Sequence, residues 1–568
     1  MLCSGGALAL LLLAGMRASL LGPDGAGRAY DLLLSGVLAA GALSMFRWTV
    51  DPGASQLGLI KLVNFVLIAL SLPRVLRTPS SYRWLLSWTS VLAGGLAVYG
   101  FLPWPHGFDR MDGRIRSLFL SPNSLAGFLA ATLPLTIAWS VSDRSQLVAR
   151  GAWLLAVLQA AALAATGSRG GWLAATAGVM LTLTMMGWRL VAWRSLLTGI
   201  ALLGCAGGLI DRLHPGLLQT RLASLVHPLT AEPFRYLIWQ SSIDMIKARP
   251  LTGWGIGAFG IAYVRFKSPA FEGVTQYFAH NDYLQMAAEQ GLTGLACWIG
   301  LIGAVLWMVV DTRRCRRHQR RGFHPSAAIP APGDPIMLAG AAGGTAAILL
   351  HSLVDFDLYV PAILTVMAIF LGYLRSSWQA SCGHLDRDRL SAPAGGGATA
   401  GSGIRVAVVG ITCVVAALWV GRIWYAEMAD RAGQRLISEG RYEEAIDRFV
   451  EATAWNPSQA AYHSNLGSAY KMWADRSRRL DLLVQAESQF RLATELAPFD
   501  YRYYLDLGRF YRIYAVFSSN FVQFDPWGVY RRAAELYPAN TVIRLELNQI
   551  SPPSPGAAPS VVNTARSA

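Results

Sequence analysis

The residues best suited to chemistry in this chain stand in short polar runs beside long apolar ones. His280 and Asn281 head the stretch FAHNDYLQMAAEQGLTGL, Phe278 to Leu295. Arg169 sits in TGSRGG, Arg235 opens FRYLIWQSSIDMIKARPLTGWGIGAFG, and HSLVDFDLYVP carries His351 and Asp355. Upstream, GRIRSLFLSPNSLAGFLAATLP places Arg114 and Arg116 just ahead of an apolar run that Pro122 and Asn123 enter. A guanidinium offers a permanent charge and a rigid fork of donors that matches phosphate oxygens. A neutral imidazole takes up a proton near physiological pH. Two arginines and a histidine therefore suit a diphosphate clamp beside a general base. A hydroxyl deprotonated by His280 would attack a carbon whose diphosphate leaving group is held by Arg169 and Arg235, and the guanidinium groups would stabilise the charge that develops. The scheme calls for no metal and no cofactor.

Each of these residues also has a purely structural reading. Arg169 can snorkel to lipid headgroups. Arg235 can pair with Glu232 on its own helix, His280 can cap the following span with help from Asn281, and His351 with Asp355 can form a plain interfacial pair. Gly253, Gly255 and Gly257 spell G-x-G-x-G, but no strand precedes them as a nucleotide loop requires.

The elements that must position these groups are membrane spans. The chain has 568 residues, 53% hydrophobic and 15% charged, with a mean hydropathy of +0.36. Soluble domains carry nearer ~25% charged residues. Twelve apolar runs of near-bilayer length are expected as spans, at 5–21, 30–46, 57–73, 84–103, 121–141, 151–166, 171–187, 195–210, 291–310, 335–353, 357–374 and 405–424. The first run has no basic segment ahead of it and is taken as a span rather than a signal peptide. The net charge of +15 comes almost wholly from arginine, and much of it is topological, so no nucleic-acid partner is expected. The six cysteines form no C-x-x-C and none lies in the long polar loop, so the spacing indicates neither a disulfide framework nor a zinc site.

The cluster RRCRRHQRR, Arg313 to Arg321, anchors the topology because such clusters stay cytoplasmic. Working outward, the arginine-bearing PRVLRTPSSYR, SDRSQLVAR and GWRLVAWR also fall inside. The opposite, periplasmic side receives PWPHGFDRMDGRIR, TGSRGG, the long loop 211–290, HSLVDFDLYVP and everything after Trp424. The candidate residues, scattered along the chain, thus share one membrane face. Ionisable groups at such depth are costly and point to function by default. The same alternation puts the N-terminus outside.

Beyond the linker SAPAGGGATAGSG and the last span, the chain turns polar and helical from about Glu427 to Ile550, and it repeats itself. Ala445, Phe449, Ala452 and Pro457 recur as Ala486, Phe490, Ala493 and Pro498, and a third copy keeps Tyr530, Ala533 and Pro538 but has Pro526 at the first position. Small residues at this spacing let paired helices pack closely, and the proline ends the second helix. The spacing of about 40 exceeds the ~34 of a tetratricopeptide repeat, which the pattern otherwise resembles. Such a region serves as a docking surface for a protein or glycan or as a structural cap, and both readings stand. The domains expected are 1–424 in the membrane, 425–550 as soluble helical repeats, and 551–568 as a disordered tail.

HNDYLQMAAEQGLTG, a His-Asn pair followed after nine residues by Gly-x-x-Gly, resembles the signature of the O-antigen ligase and polymerase superfamily of bacterial envelope glycosyltransferases. FLSPNSLAGFLAATLP, TGSRGGWLA, FRYLIWQSSIDMIKARPLTGWGIGAFG and HSLVDFDLYVPA are similar to family segments and follow in the expected order. The resemblance implies an all-α, GT-C-like polytopic fold in the bacterial inner membrane with a large periplasmic loop. It implies metal-independent transfer of a glycan from an undecaprenyl-diphosphate carrier to an acceptor hydroxyl. In ligases the acceptor is a sugar of the lipid A core; in polymerases it is another carrier-linked glycan. By motif, His280 is the base and Arg169 and Arg235 contact the diphosphate. Arg116, Asn281, His351 and Asp355, on the same face by the charge argument, are the further substrate-binding candidates. A minimal ligase lacks the repeat region, which points toward a polymerase or an exopolysaccharide or protein-glycosylating relative, and offers a surface to a protein partner. A transporter of lipid-linked glycans is the rival from another class. It calls for charges at mid-membrane depth and inverted repeats, neither of which the spans contain.

Overall fold

The computed structural model describes residues 25–76, 78–102, 114–187, 216, 219, 233–272, 276–321, 334–382, 418, 421–521 and 524–550. Among the described residues the regular structure is helical, without a β-strand. These residues gather into two compact units. One is drawn from Met1–Leu43, Gly58–Gly253 and Phe278–Ala392, the other from Ser44–Leu57, Trp254–Tyr277 and Pro393–Ala568.

The first unit holds α1 (Gly25–Leu43), most of α2 (Pro52–Val75), α3 (Pro79–Phe101), α4 (Pro122–Ser142), α5 (Gln146–Ala165), α6 (Arg169–Met186), α7 (Pro233–Ala248), α9 (Asp282–Arg321), α10 (Pro335–His351) and α11 (Pro361–Ser381). Several begin alike. Thr78, Ser121 and Asp334 cap helices whose first residue is proline, and Ser168 caps α6. The capping oxygen satisfies an otherwise orphaned N–H, and proline at the first position loses nothing by lacking one. Among the described residues, seven helices are long and apolar enough to cross a membrane: Gly27–Trp48, α2, α3, α4, α5, the first 36 residues of α9, and α11. They correspond to the expected spans 30–46, 57–73, 84–103, 121–141, 151–166, 291–310 and 357–374. Helices α6 and α10 stand where 171–187 and 335–353 were expected. Spans 5–21 and 195–210 lie outside the described residues, as does most of 405–424.

Helix α4 is buried along almost its whole length. It packs with α6 and α10 through small residues, so their backbones approach closely. A methyl group on Gly178 would lie 2.6 Å from the Gly343 carbonyl oxygen, and one on Gly344 2.3 Å from that of Ala131. Close backbone approach is how apolar helices associate where lipid supplies no hydrophobic drive.

Span 291–310 differs in its start. The helix begins at Asp282 and breaks at Gly291, where φ is 72° and ψ 176°. That backbone region is open essentially to glycine alone. Leu251 fills the break: a Cβ on Gly291 would lie 2.1 Å from its carbonyl oxygen, while Leu292 N–H donates to Pro250 O at 2.7 Å.

Chain ends of this unit sort into two groups. Arg83 reaches Asp143 at 2.9 Å and Asp334 at 3.5 Å, Arg313 reaches the Met185 carbonyl at 3.4 Å, and Arg316 reaches Ser381 at 2.9 Å. Among the described residues, the helix ends next to the segments read as cytoplasmic therefore meet at one end, and the candidate residues meet at the other. The cysteines depart from the sequence reading. Cys315 and Cys382 are joined in a disulfide, with Asp311 beside them. Their separation of 67 residues hides the pairing from spacing arguments, because α9 and α11 lie side by side only in the folded chain.

In the second unit, helices 421–438, Tyr442–Trp455, Ala460–Ser477, Asp481–Leu496, Tyr501–Ile513 and Pro526–Leu536 form consecutive pairs, and Thr541–Asn548 follows. The repeated Ala445, Phe449, Ala452, Ala486, Phe490, Ala493, Tyr530 and Ala533 are all buried. Each large ring sits on a glycine of the preceding helix: Phe449 on Gly433, Phe490 on Gly467, Tyr530 on Gly508. The short helix α8 (Phe259–Tyr263) belongs to this unit too, in a segment held by hydrogen bonds from Lys267 Nζ to the Tyr537 hydroxyl (2.8 Å) and from the Thr541 hydroxyl to Glu272 (2.7 Å).

Candidate active site

Helix termini and tight turns of the first unit bring the candidate groups together. Ser168 starts α6, so Arg169 is its first residue. Just before it, the end of α5 is joined by Arg114, which donates through Nε to the Thr166 carbonyl and through Nη2 to Asn123 Oδ1 at 2.6 Å. Helix α7 delivers Arg235, whose Nη1 donates to the Val354 carbonyl at 2.5 Å. One cavity is lined by Arg114, Asn123, Arg169, Arg235, His351 and Asp355 together with the 167–170 turn and Val354.

The turn between α10 and α11 places the acids. Val354 and Asp355 N–H both donate back to the His351 carbonyl, and a 3-10 turn, Asp357–Tyr359, follows. Asp357 folds back on His351, with both carboxylate oxygens 2.8–2.9 Å from Nδ1. An ionised carboxylate only accepts, so Nδ1 carries a proton and donates to it, leaving Nε2 on the far side of the ring. That Nε2 lies on the side of Gly170, where an added Cβ would come within 3.4 Å of it. Asp357 is seated equally closely on α4: a Cβ on Gly127 would meet its Oδ1 at 2.3 Å.

Asp355 faces His280 instead. Its Oδ1 accepts the Phe356 N–H at 2.9 Å and lies 3.5 Å from His280 Nδ1. Burial alone would raise the Asp355 carboxyl. The contact with His280 and the positive charges of His351, His280 and Arg235 outweigh it and bring the pKa down to about 2. His280 adopts a left-handed backbone, φ 51°, uncommon for a residue with a side chain. Its ring meets the edge of Phe356, with centroids 5.2 Å apart, and remains about one fifth exposed.

The sequence-predicted residues thus separate into groups. Arg169, Arg235, His351 and Asp355 share the cavity, and His280 stands against Asp355. Arg116 is not among the residues lining the cavity, whereas Arg114, two positions earlier, is. Asn281 caps α9, its Oδ1 accepting the Leu284 N–H at 3.1 Å. The plain His351–Asp355 pair is replaced by two crossed pairs, His351–Asp357 and His280–Asp355. Sequence reasoning missed Asp357. The run HSLVDFD offers two acids, and only the turn geometry chooses between them.

A multi-pass helical membrane protein with cationic groups and two histidine–carboxylate pairs gathered at one end, followed by helical repeats, is the class these observations define. Residues 154–299 match the family model described as O-Antigen ligase, and residues 433–472 match a TPR repeat model. The first match contains Arg169, Arg235 and His280 and supports a ligase- or polymerase-type membrane glycosyltransferase. Comparison with curated proteins returns no match.

Proposed function

We propose that this protein is an O-antigen ligase-type glycosyltransferase of the bacterial inner membrane. It moves a glycan from an undecaprenyl-diphosphate carrier to an acceptor hydroxyl, on lipid A core or a similar glycan, at the periplasmic face. The observation that carries the reading is the meeting of Arg114, Arg169 and Arg235 around one cavity beside Asp355, the carboxylate that His280 contacts.

In this mechanism the guanidinium groups bind the diphosphate and take up the charge released on its departure. With Nδ1 turned to Asp355, His280 presents Nε2 to the acceptor. The acceptor oxygen attacks the anomeric carbon, its proton passes to Nε2, and the bond to the diphosphate breaks with its electron pair leaving on oxygen. Asp355 stabilises the imidazolium so formed. Atoms and charge balance with these side chains alone.

A polysaccharide polymerase is the second reading, favoured by the repeat region. Incubation of the reconstituted protein with an undecaprenyl-diphosphate-linked glycan, alone and with lipid A core, separates the two. Transfer that requires core marks a ligase, and chain growth without it marks a polymerase. An inert protein under both conditions overturns the proposal.

A further inference from the structure

The motif around His280 contains a buried acid that the mechanism above does not use. Glu289 is completely buried on the first segment of α9. Its Oε1 accepts from Gln285 Nε2 at 3.0 Å, and its Oε2 accepts from the Tyr359 hydroxyl at 2.9 Å. Gln285 in turn accepts the Ala279 N–H through Oε1, at 2.9 Å. The chain of donors has one sense only. The Ala279 N–H must donate, so that end of the Gln285 amide is oxygen and the other is nitrogen, and the nitrogen needs an acceptor.

Both arms end next to the groups of the proposed reaction. Ala279 is fully buried and directly precedes His280; its carbonyl accepts from Trp239 at 3.1 Å. Tyr359 closes the 3-10 turn that follows Asp355, and Lys61 reaches its carbonyl at 3.3 Å. Between the arms, Phe278 stacks on Phe356 with centroids 4.1 Å apart and planes 9° from parallel. The 3.5 Å contact of His280 with Asp355 therefore joins two backbone segments that one carboxylate holds from behind. His280 also needs such restraint, because its positive φ is unfavourable unless the surroundings fix it.

We propose that Glu289 is a positioning residue for transfer: through Gln285 and Tyr359 it sets the backbone of Ala279–His280 against the Asp355 turn. This rests on His280 acting as the base. It separates the roles within the motif, with the histidine at the substrate and the glutamate fixing where the histidine stands.

The test uses the full-length protein in liposomes, with an undecaprenyl-diphosphate-linked glycan as donor and lipid A core as acceptor probe. Turnover is normalised to folded protein. Gln285→Leu and Glu289→Leu are each expected to lower kcat about 10- to 100-fold, as misplacement of a reacting group does. Donor KM should stay within about threefold, because the arginines are untouched. The double variant should be no worse than the worse single one, since both cut the same chain of hydrogen bonds. Glu289→Gln, which keeps an acceptor oxygen for Tyr359, should lose less than Glu289→Leu. Where Glu289→Leu does not fold, Tyr359→Phe carries the test and must lower kcat at unchanged KM. Normal turnover per folded molecule in these variants, or losses that multiply in the double variant, overturns the proposal. His280→Ala in the same assay keeps the two readings apart. If it is active, the transfer mechanism itself falls; if it is dead beside a fully active Glu289→Leu, only the positioning role falls.

Discussion

Replacing Asp355 by Asn removes one charge and little else. The amide oxygen can still accept the Phe356 N–H that Oδ1 takes at 2.9 Å, and the side chain keeps its shape in a site where it is only 3% exposed. What is lost is the negative charge 3.5 Å from His280 Nδ1, which in the proposed mechanism steadies the imidazolium as the acceptor proton arrives. Two routes bound the effect. A carboxyl brought to about 2 from an ordinary ~3.9 is stabilised in its charged form by roughly 2.5 kcal/mol, net of burial and shared among His280, His351 and Arg235. A unit charge pair at about this distance contributes about 4 kcal/mol at the effective dielectric of a partly solvated site. The transfer rate should fall between about 60-fold and about 1000-fold, since each ~1.4 kcal/mol is a factor of ten. Single-turnover transfer in proteoliposomes, with donor bound beforehand, isolates that step from binding. A rate within about threefold of the unaltered protein, while His280→Ala is inactive, would refute the role given to Asp355. So would a loss confined to donor affinity.

His280→Ala should abolish transfer with the protein folded and inserted, whereas Arg169→Ala and Arg235→Ala should raise donor KM and lower kcat together; steady-state kinetics with a radiolabelled donor checks both. Gly291→Ala should cost about 1–3 kcal/mol, read as a lowered thermal midpoint in detergent, because φ 72° with ψ 176° excludes a side chain and the new methyl would strike the Leu251 carbonyl. Acid should loosen the site. Asp355 titrates lower folded than unfolded, so its contribution is whole above about pH 4 and disappears as pH falls toward about 2. Unfolding midpoints taken from pH 5 down to pH 2.5 should drop more steeply for the unaltered protein than for Asp355→Asn.

Hydropathy and charge were enough to recognise a helical membrane protein, to find most of its described spans, and to group Arg83, Asp143 and Arg313 at one end with the candidate residues at the other. Those properties belong to segments: a run of about 20 apolar residues must cross a bilayer whatever lies beside it. The repeats were legible for a similar reason, because Ala445, Phe449 and Ala452 recur at the period of one helix pair. Side-chain partnership is not a property of segments. His351 could take Asp355 or Asp357, Arg114 or Arg116 could face the cavity, and Cys315 could meet any cysteine. Each choice was made by the turn after α10, the junction of α5 with α6, or the packing of α9 on α11. Hydrogen bonds and ion pairs act over a few ångströms, so residues 67 or 75 positions apart become partners only where the folded backbone sets them side by side.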